Sequence, residues 1–282
     1  MKQHSQPPVV DNGEAWVAEC GPNDAWDKPG PAYRVYGATY YVGTCGIASI
    51  LIAGDDGHIL IDGGTQRGGP MIAANIASLG FNVKDVKILL HSHEHFDHVG
   101  GLAFLQAESG ARVIASTRSA PVLQSGVVAA NDPQSGMHDP FAGVSVDATI
   151  SHAEQVTLGT NTLTAFETPG HSPGALSWQW TACEADQCKT MVYIDSLSPI
   201  SRDGYQFMLH PVYVAQYRAG LAALTGIECD FALTPHPVAS AMHQRLSAPG
   251  GLEDENGCRD YIDRIKRRLD RRLVDEHAGS GA

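Results

Sequence analysis

Apolar positions along this chain fall into two rhythms, and the alternation between them occurs twice. From Tyr33 to Gly64 the text YRVYGATYYVGTCGIASILIAGDDGHILIDGG alternates β-branched and aromatic residues, and GDDG at 54–57 marks a hairpin turn. This predicts a stack of antiparallel strands. GPMIAANIASLG at 69–80 places apolar residues at helical spacing and stops on a glycine, and VKILL at 86–90 predicts a short buried strand.

A second round follows. It contains a helix over about 101–109, the strand RVIAS near 112–116 and a short helix near 118–124, then the strands LTAFETP, ALSWQWTA and TMVYIDS, the last two joined by the turn CEADQC. A helix over about 211–224, the strand DFALT at 230–234 and a charged helix over about 258–275 complete the chain, with Ile262, Ile265, Leu269 and Leu273 on one side of that last helix. The stretch 125–147, rich in Gly, Pro, Asn and Asp, reads as a long surface loop bordering a substrate cleft. Two strand-then-helix halves, with no linker and no internal repeat, predict an α/β chain whose two sheets pack face to face with helices outside.

Composition narrows this picture. At 282 residues and 43% hydrophobic, the chain can bury a full core. With 19 basic against 31 acidic residues, the net charge of −12 repels phosphate backbones, so nucleic acid is not expected as a partner. No apolar run approaches the roughly 20 residues that span a bilayer, so no membrane insertion is expected.

The N-terminal text MKQHSQPPVV lacks the apolar core of a leader, which fits a cytosolic start or a mature exported chain. Six cysteines, at 20, 45, 183, 188, 229 and 258, separate these. Their even number, and the short spacing in CEADQC, read as three disulfides and an exported, periplasmic protein; six unpaired buried thiols are the alternative.

Directly after VKILL stands HSHEHFDHVGG, residues 91–101. The pattern His-x-His-x-Asp-His is met by His93, His95, Asp97 and His98. His93 and His95, two apart, share one side, whereas Asp97 and His98 reach another, which suits two metals. A catalytic zinc takes three protein ligands and leaves a position for water, so four ligands require more downstream. His171 in TPGHSPG and His236 in LTPHPV both follow apolar strands, where α/β folds gather functional groups. The constellation reads as one zinc held by His93, His95 and His171, and a second held by Asp97, His98 and His236. His91 reads as supporting or structural, Glu94 and Phe96 face away from the ligands, and the remaining histidines, His138 among them, read as surface or core residues.

HSHEHFDHVGG together with TPGHSPG and TPHP resembles the metallo-β-lactamase superfamily. The runs YVGTCGIASILI, GHILIDGGT, TPGHSPGALSWQW, MVYIDSLSPIS and CRDYIDRIKRRLDRRL resemble subclass B3 of the class B β-lactamases, over about residues 20–275. The resemblance implies an αβ/βα four-layer sandwich, two mixed β-sheets flanked by helices, as a single domain over 20–276, with a flexible segment at 1–19 and a flexible tail at 277–282. It implies two Zn2+ per chain and disulfides Cys20–Cys45, Cys183–Cys188 and Cys229–Cys258. Ser196 and Ser198 should hold the carboxylate common to β-lactams.

The expected activity is hydrolysis of the β-lactam amide in penicillins, cephalosporins and carbapenems by a monomer acting on a small-molecule substrate. The water would be activated between two metals, without a covalent intermediate. His93, His95 and Asp97 carry the chemistry, with Asp97 also orienting the attacking water. A lactonase or glyoxalase-type thioesterase on the same site is the rival, distinguished by whether Ser196 faces substrate or Asp195 bridges the metals.

Overall fold

The computed structural model describes residues 13–279. Seven strands lie side by side in chain order: β1 (Tyr33–Tyr36), β2 (Thr39–Tyr41), β3 (Ile50–Ile52), β4 (His58–Ile61), β5 (Val86–Leu90), β6 (Arg112–Ser116) and β7 (Val146–Ile150). The first four pair antiparallel, and β4 to β7 run parallel. A second sheet has β8 (Gln155–Leu158), β9 (Asn161–Glu167), β10 (Leu176–Glu184) and β11 (Gln187–Tyr193) antiparallel, and β12 (Phe231–Leu233) added parallel to β11. Among the described residues the α-helices are α1 (Glu14–Glu19), α2 (Gly68–Ser78), α3 (Phe96–Val99), α4 (Leu102–Ser109), α5 (Ala120–Ser125), α6 (Pro211–Ala223), α7 (Met242–Leu246) and α8 (Gly257–Gly279).

Strand alternation divides the apolar residues between layers. Ile50, Ile52, Ile59, Ile61, Ile88 and Leu90 point between the sheets, where they meet Leu163, Trp178, Trp180, Met191 and Tyr193. Their neighbours Leu51, Leu60 and Leu89 point outward and pack with Ile72, Ile76, Leu102 and Leu105 of α2 and α4. On the far side Val192 and Ala232 pack with Tyr217 and Leu221 of α6 and with Ile262, Ile265 and Leu269 of α8. The four-layer α/β sandwich expected from the sequence is thus present.

Two strands escape the apolar pattern. β7, VDATI, overlaps the end of the expected loop and runs along the sheet edge, with Asp147 and Thr149 exposed. β8, QVTL, has only Val156 buried and pairs solely with β9. An edge strand with one wet face carries too few apolar residues to announce itself.

The termini differ from expectation in a physical way. Residues 1–12 and 280–282 lie outside the described residues. Within the segment expected to be flexible, α1 forms and buries Trp16 to 1% exposure, against the rings of Tyr33 and Tyr41. At the other end α8 continues through 277–279, past Glu276, whose carboxylate accepts from Arg272 and from the Met208 backbone N–H.

All three disulfides are formed with the pairing that the resemblance implied, and no free cysteine is found among the described residues. Cys183 and Cys188 are directly opposed across the β10–β11 hairpin.

Candidate metal centre

Pairing directions put the ends of β4 and β5 at one edge of the first sheet and those of β9, β11 and β12 at one edge of the second, and ring contacts of His93 with His171 and of His98 with His236 bring the two edges together. From these ends come Asp62, residues 91–98, His171, residues 195–198 and His236. Residues 91–95 form an irregular loop that ends on an extended His95, and α3 begins at Phe96, so Asp97 and His98 project from a first helical turn while His93 and His95 belong to the loop before it. Gly101 lets this loop lie on the turn after β4, since a Cβ there would come within 2.2 Å of the Gly63 carbonyl oxygen.

Two clusters result. Asp97 Oδ2 lies 3.1 Å from His98 Nε2 and 3.3 Å from His236 Nε2, and the two imidazole nitrogens are 3.2 Å apart. A tetrahedral zinc with ligands at about 2.0–2.1 Å has edges of about 3.3 Å, so the triangle fits the ion. In the other cluster one ring nitrogen each from His93, His95 and His171 lies within 4.8 Å of the others. The ring centroids of His93 and His98 are 4.1 Å apart, so the clusters adjoin. His93 also comes within 4.8 Å of Asp97 and His98, but the tighter triangle is the one that includes His236.

One nitrogen of each ring in the wider cluster faces a protein acceptor that orients the imidazole. His93 Nδ1 is 2.8 Å from Asp195 Oδ1, and its Nε2 is buried without a partner. His95 Nε2 donates to Asp132 Oδ2 at 3.1 Å, freeing Nδ1. His171 Nδ1 donates to the Ser198 carbonyl at 3.0 Å, and its Nε2 lies 3.3 Å from the buried Gln134 amide nitrogen. His98 Nδ1 faces Asp62 Oδ2 at 3.5 Å.

Such a set of buried imidazoles and a carboxylate would cost several kcal/mol without a cation to bind. Burial works against charge on His98, but Asp97 and Asp62 outweigh it and push the imidazole up to about 10. Burial likewise opposes charge on Asp97, but His98 and His236 hold it well below the usual carboxylate range.

All six expected ligands therefore converge. His91 is not among them: burial lowers its imidazole to about 4, its Nε2 accepts from the Ser116 N–H, and its carbonyl accepts from the Trp178 indole. The Ser196 hydroxyl is buried without a partner, whereas Ser198 Oγ lies 3.1 Å from His171 Nδ1. Leu197 between them has φ 51°, and the segment is held by Tyr217 bonding the Leu197 carbonyl and Tyr261 bonding the Ser196 carbonyl. A non-glycine residue in that region is strained backbone of the kind that functional sites retain.

Asp62, Asp132 and His138 were not singled out by the sequence. Asp62 closes the apolar strand ILI just before two glycines, which was the available signal. Asp132 lies in the weakly patterned loop, where nothing marks a partner for His95. His138, read as surface or core, stands in the site region, its ring 6.1 Å from that of His95 and 4.8 Å from that of Phe96.

A two-cluster centre of histidines and one aspartate, at the shared edge of a four-layer sandwich, defines a metal-dependent hydrolase. The chain belongs to the metallo-beta-lactamase superfamily, whose family model matches residues 42–182. It is similar to the MIM-2 metallo-beta-lactamase, 54% identical over 96% of this chain and 100% of that one, with TM-score 0.91. It is also similar to the metallo-beta-lactamase MIM-1 from Novosphingobium pentaromativorans, 44% identical over 95% of this chain and 99% of that one, with TM-score 0.91. Another solved neighbour, MEM-A1, 38% identical with TM-score 0.86, is a subclass B3 enzyme. Among curated proteins, ribonuclease TTHA0252 of Thermus thermophilus is 32% identical over 165 residues, 56% of this chain and 36% of that protein. The matched stretch thus spans about a third of that relative.

Proposed function

We infer that this protein is a β-lactam hydrolase that uses two zinc ions, the first on His93, His95 and His171 and the second on Asp97, His98 and His236. The carrying observation is the 3.1–3.3 Å triangle of Asp97, His98 and His236 beside three further imidazoles, those of His93, His95 and His171, with one ring nitrogen each within 4.8 Å of the others. Similarity to subclass B3 enzymes over nearly their whole lengths supports the substrate class.

When bound, the metals supply Lewis-acid polarisation of a carbonyl and acidify a water. The chain's own residues do the rest. Asp132 and the Ser198 carbonyl accept from His95 and His171, and Asp195 stands 2.8 Å from His93 Nδ1, so the three rings are oriented before substrate arrives. Asp97 offers its second oxygen to a hydrogen of the attacking water. Beside the ligands a cleft of about 540 Å³, lined by Trp26, Thr65, Phe96, Met137, His138 and Phe141, receives the substrate body. To the Ser196 hydroxyl, which has no partner among the described residues, we assign the substrate carboxylate.

Asp195 is spent on His93 and on the Leu197 N–H, 3.1 Å from its Oδ2, which favours this reading over a thioesterase with a bridging aspartate. The net charge of −12 disfavours a nuclease. No described helix is long and apolar enough to cross a membrane. The three disulfides fit an oxidising compartment such as the periplasm.

The test is hydrolysis of a carbapenem and a chromogenic cephalosporin by purified protein, set beside a thioester. Ring opening that is lost in EDTA and restored by zinc is expected; cleavage of the thioester alone would overturn the reading. His93→Ala should lower turnover by orders of magnitude.

A further inference from the structure

We propose that Glu94 is a positioning residue for the first metal site, its carboxylate joining the loop that carries His93 and His95 to the turn that carries His171. This rests on the two-metal reading of the site.

Glu94 lies between two ligands in sequence, yet its side chain points away from them and is 1% exposed. Its Oε2 accepts from Ser172 Oγ at 2.6 Å and from Ser119 Oγ at 3.0 Å, and its Oε1 accepts from the Gly174 N–H at 2.8 Å. Ser172 and Gly174 follow His171 immediately in the chain. The Gly174 carbonyl in turn accepts from Ser116 Oγ at 2.7 Å, and the Ser119 hydroxyl, 3.0 Å from that carbonyl as well, has one proton to give to either acceptor. The turn is therefore gripped on both its N–H and its C=O side.

Among the described residues no cation pairs with this carboxylate, and its partners are three neutral donors. Bonds to a carboxylate are short and directional, so they fix the separation of the two loops more firmly than apolar contact would. His236 and the Asp97–His98 turn have no bond to Glu94 among those found. Loss of the clamp should accordingly loosen one site and spare the other.

Zinc titration of the metal-stripped full chain against a chromophoric chelator tests this. Glu94→Ala should keep one site unchanged and weaken the other by about 10–100-fold, the weakened site being the one that His171→Ala removes. Glu94→Gln should recover most of the loss, because its carbonyl can accept from Gly174 while the serine hydroxyls rotate to accept from the amide. Ser172→Ala should fall between them, and it keeps the proposal testable if Glu94→Ala does not fold.

Cobalt substitution adds a readout independent of turnover, with the bands of the first site altered and those of the second retained. If the wild-type chain takes up no metal, the reading of the site fails. If wild type and Glu94→Ala bind both ions equally tightly and only the melting temperature falls, Glu94 serves the fold alone and the inference is overturned.

Discussion

Asp62 stands behind His98, its Oδ2 3.5 Å from the imidazole Nδ1, on the side opposite the nitrogen that faces Asp97 and His236. The same carboxylate accepts from the Ser92 N–H at 2.6 Å, the Ser92 hydroxyl at 2.7 Å and the Tyr193 hydroxyl at 2.8 Å. It thus fixes the start of the ligand loop and the orientation of one ligand together. In Asp62→Asn an amide can still accept from the Ser92 N–H, and both hydroxyls can turn to accept, but His98 then faces a donor instead of a carboxylate. Second-site zinc affinity should fall about 10–100-fold with a smaller change in fold stability. Equilibrium dialysis that finds the second site as tight as in wild type would refute the link.

Removing metal should weaken the fold itself. His93, His95, His98 and Asp97 are buried at one edge, and His93 Nε2 has no partner among the described residues. A ligand that binds only the native state stabilises it by ~2.7 kcal/mol at 100 times its dissociation constant. Calorimetry of EDTA-stripped protein should therefore show a lower melting temperature that recovers on adding zinc. An unchanged melting temperature would mean that these groups do not gather around a cation.

Much of this was legible because the ligands sit where two patterns coincide. Apolar strands end, and polar residues follow at once, in LLHSHEHFDH, ETPGH and LTPH. What stayed hidden is long-range pairing. His95 finds Asp132 across 37 positions, and Glu94 finds Ser172 and Gly174 across about 80, by way of folds in the chain that no local periodicity encodes. Edge strands β7 and β8 were hidden for the opposite reason, since a strand with one wet face hardly differs from a loop.

Trp16 illustrates a further limit, because one aromatic residue in a polar stretch suffices to pin a short helix when a core groove awaits it. It packs on Tyr33 and Tyr41 beside the Cys20–Cys45 bridge. Trp16→Ala should cost about 3–5 kcal/mol, the usual range for emptying a buried aromatic site. It should leave zinc stoichiometry at the wild-type value. Urea unfolding of the variant within 1 kcal/mol of wild type would show that the helix contributes little to the fold.

Ser196 and Ser198 should separate under kinetic analysis, because their hydroxyls have different commitments. Ser196 Oγ bonds nothing among the described residues, so Ser196→Ala takes away only what a substrate would use. Its expected effect is a raised KM with kcat nearly unchanged, the signature of binding lost equally from ground and transition states. Ser198 Oγ lies against His171 Nδ1, but the Ser198 carbonyl still accepts from that nitrogen after truncation, so the imidazole keeps its orientation. Ser198→Ala should therefore retain first-site zinc, with a rise in KM smaller than that of Ser196→Ala. Steady-state rates on one cephalosporin, with zinc content measured on the same samples, decide between them. A Ser196→Ala enzyme with the wild-type KM would remove that hydroxyl from substrate recognition.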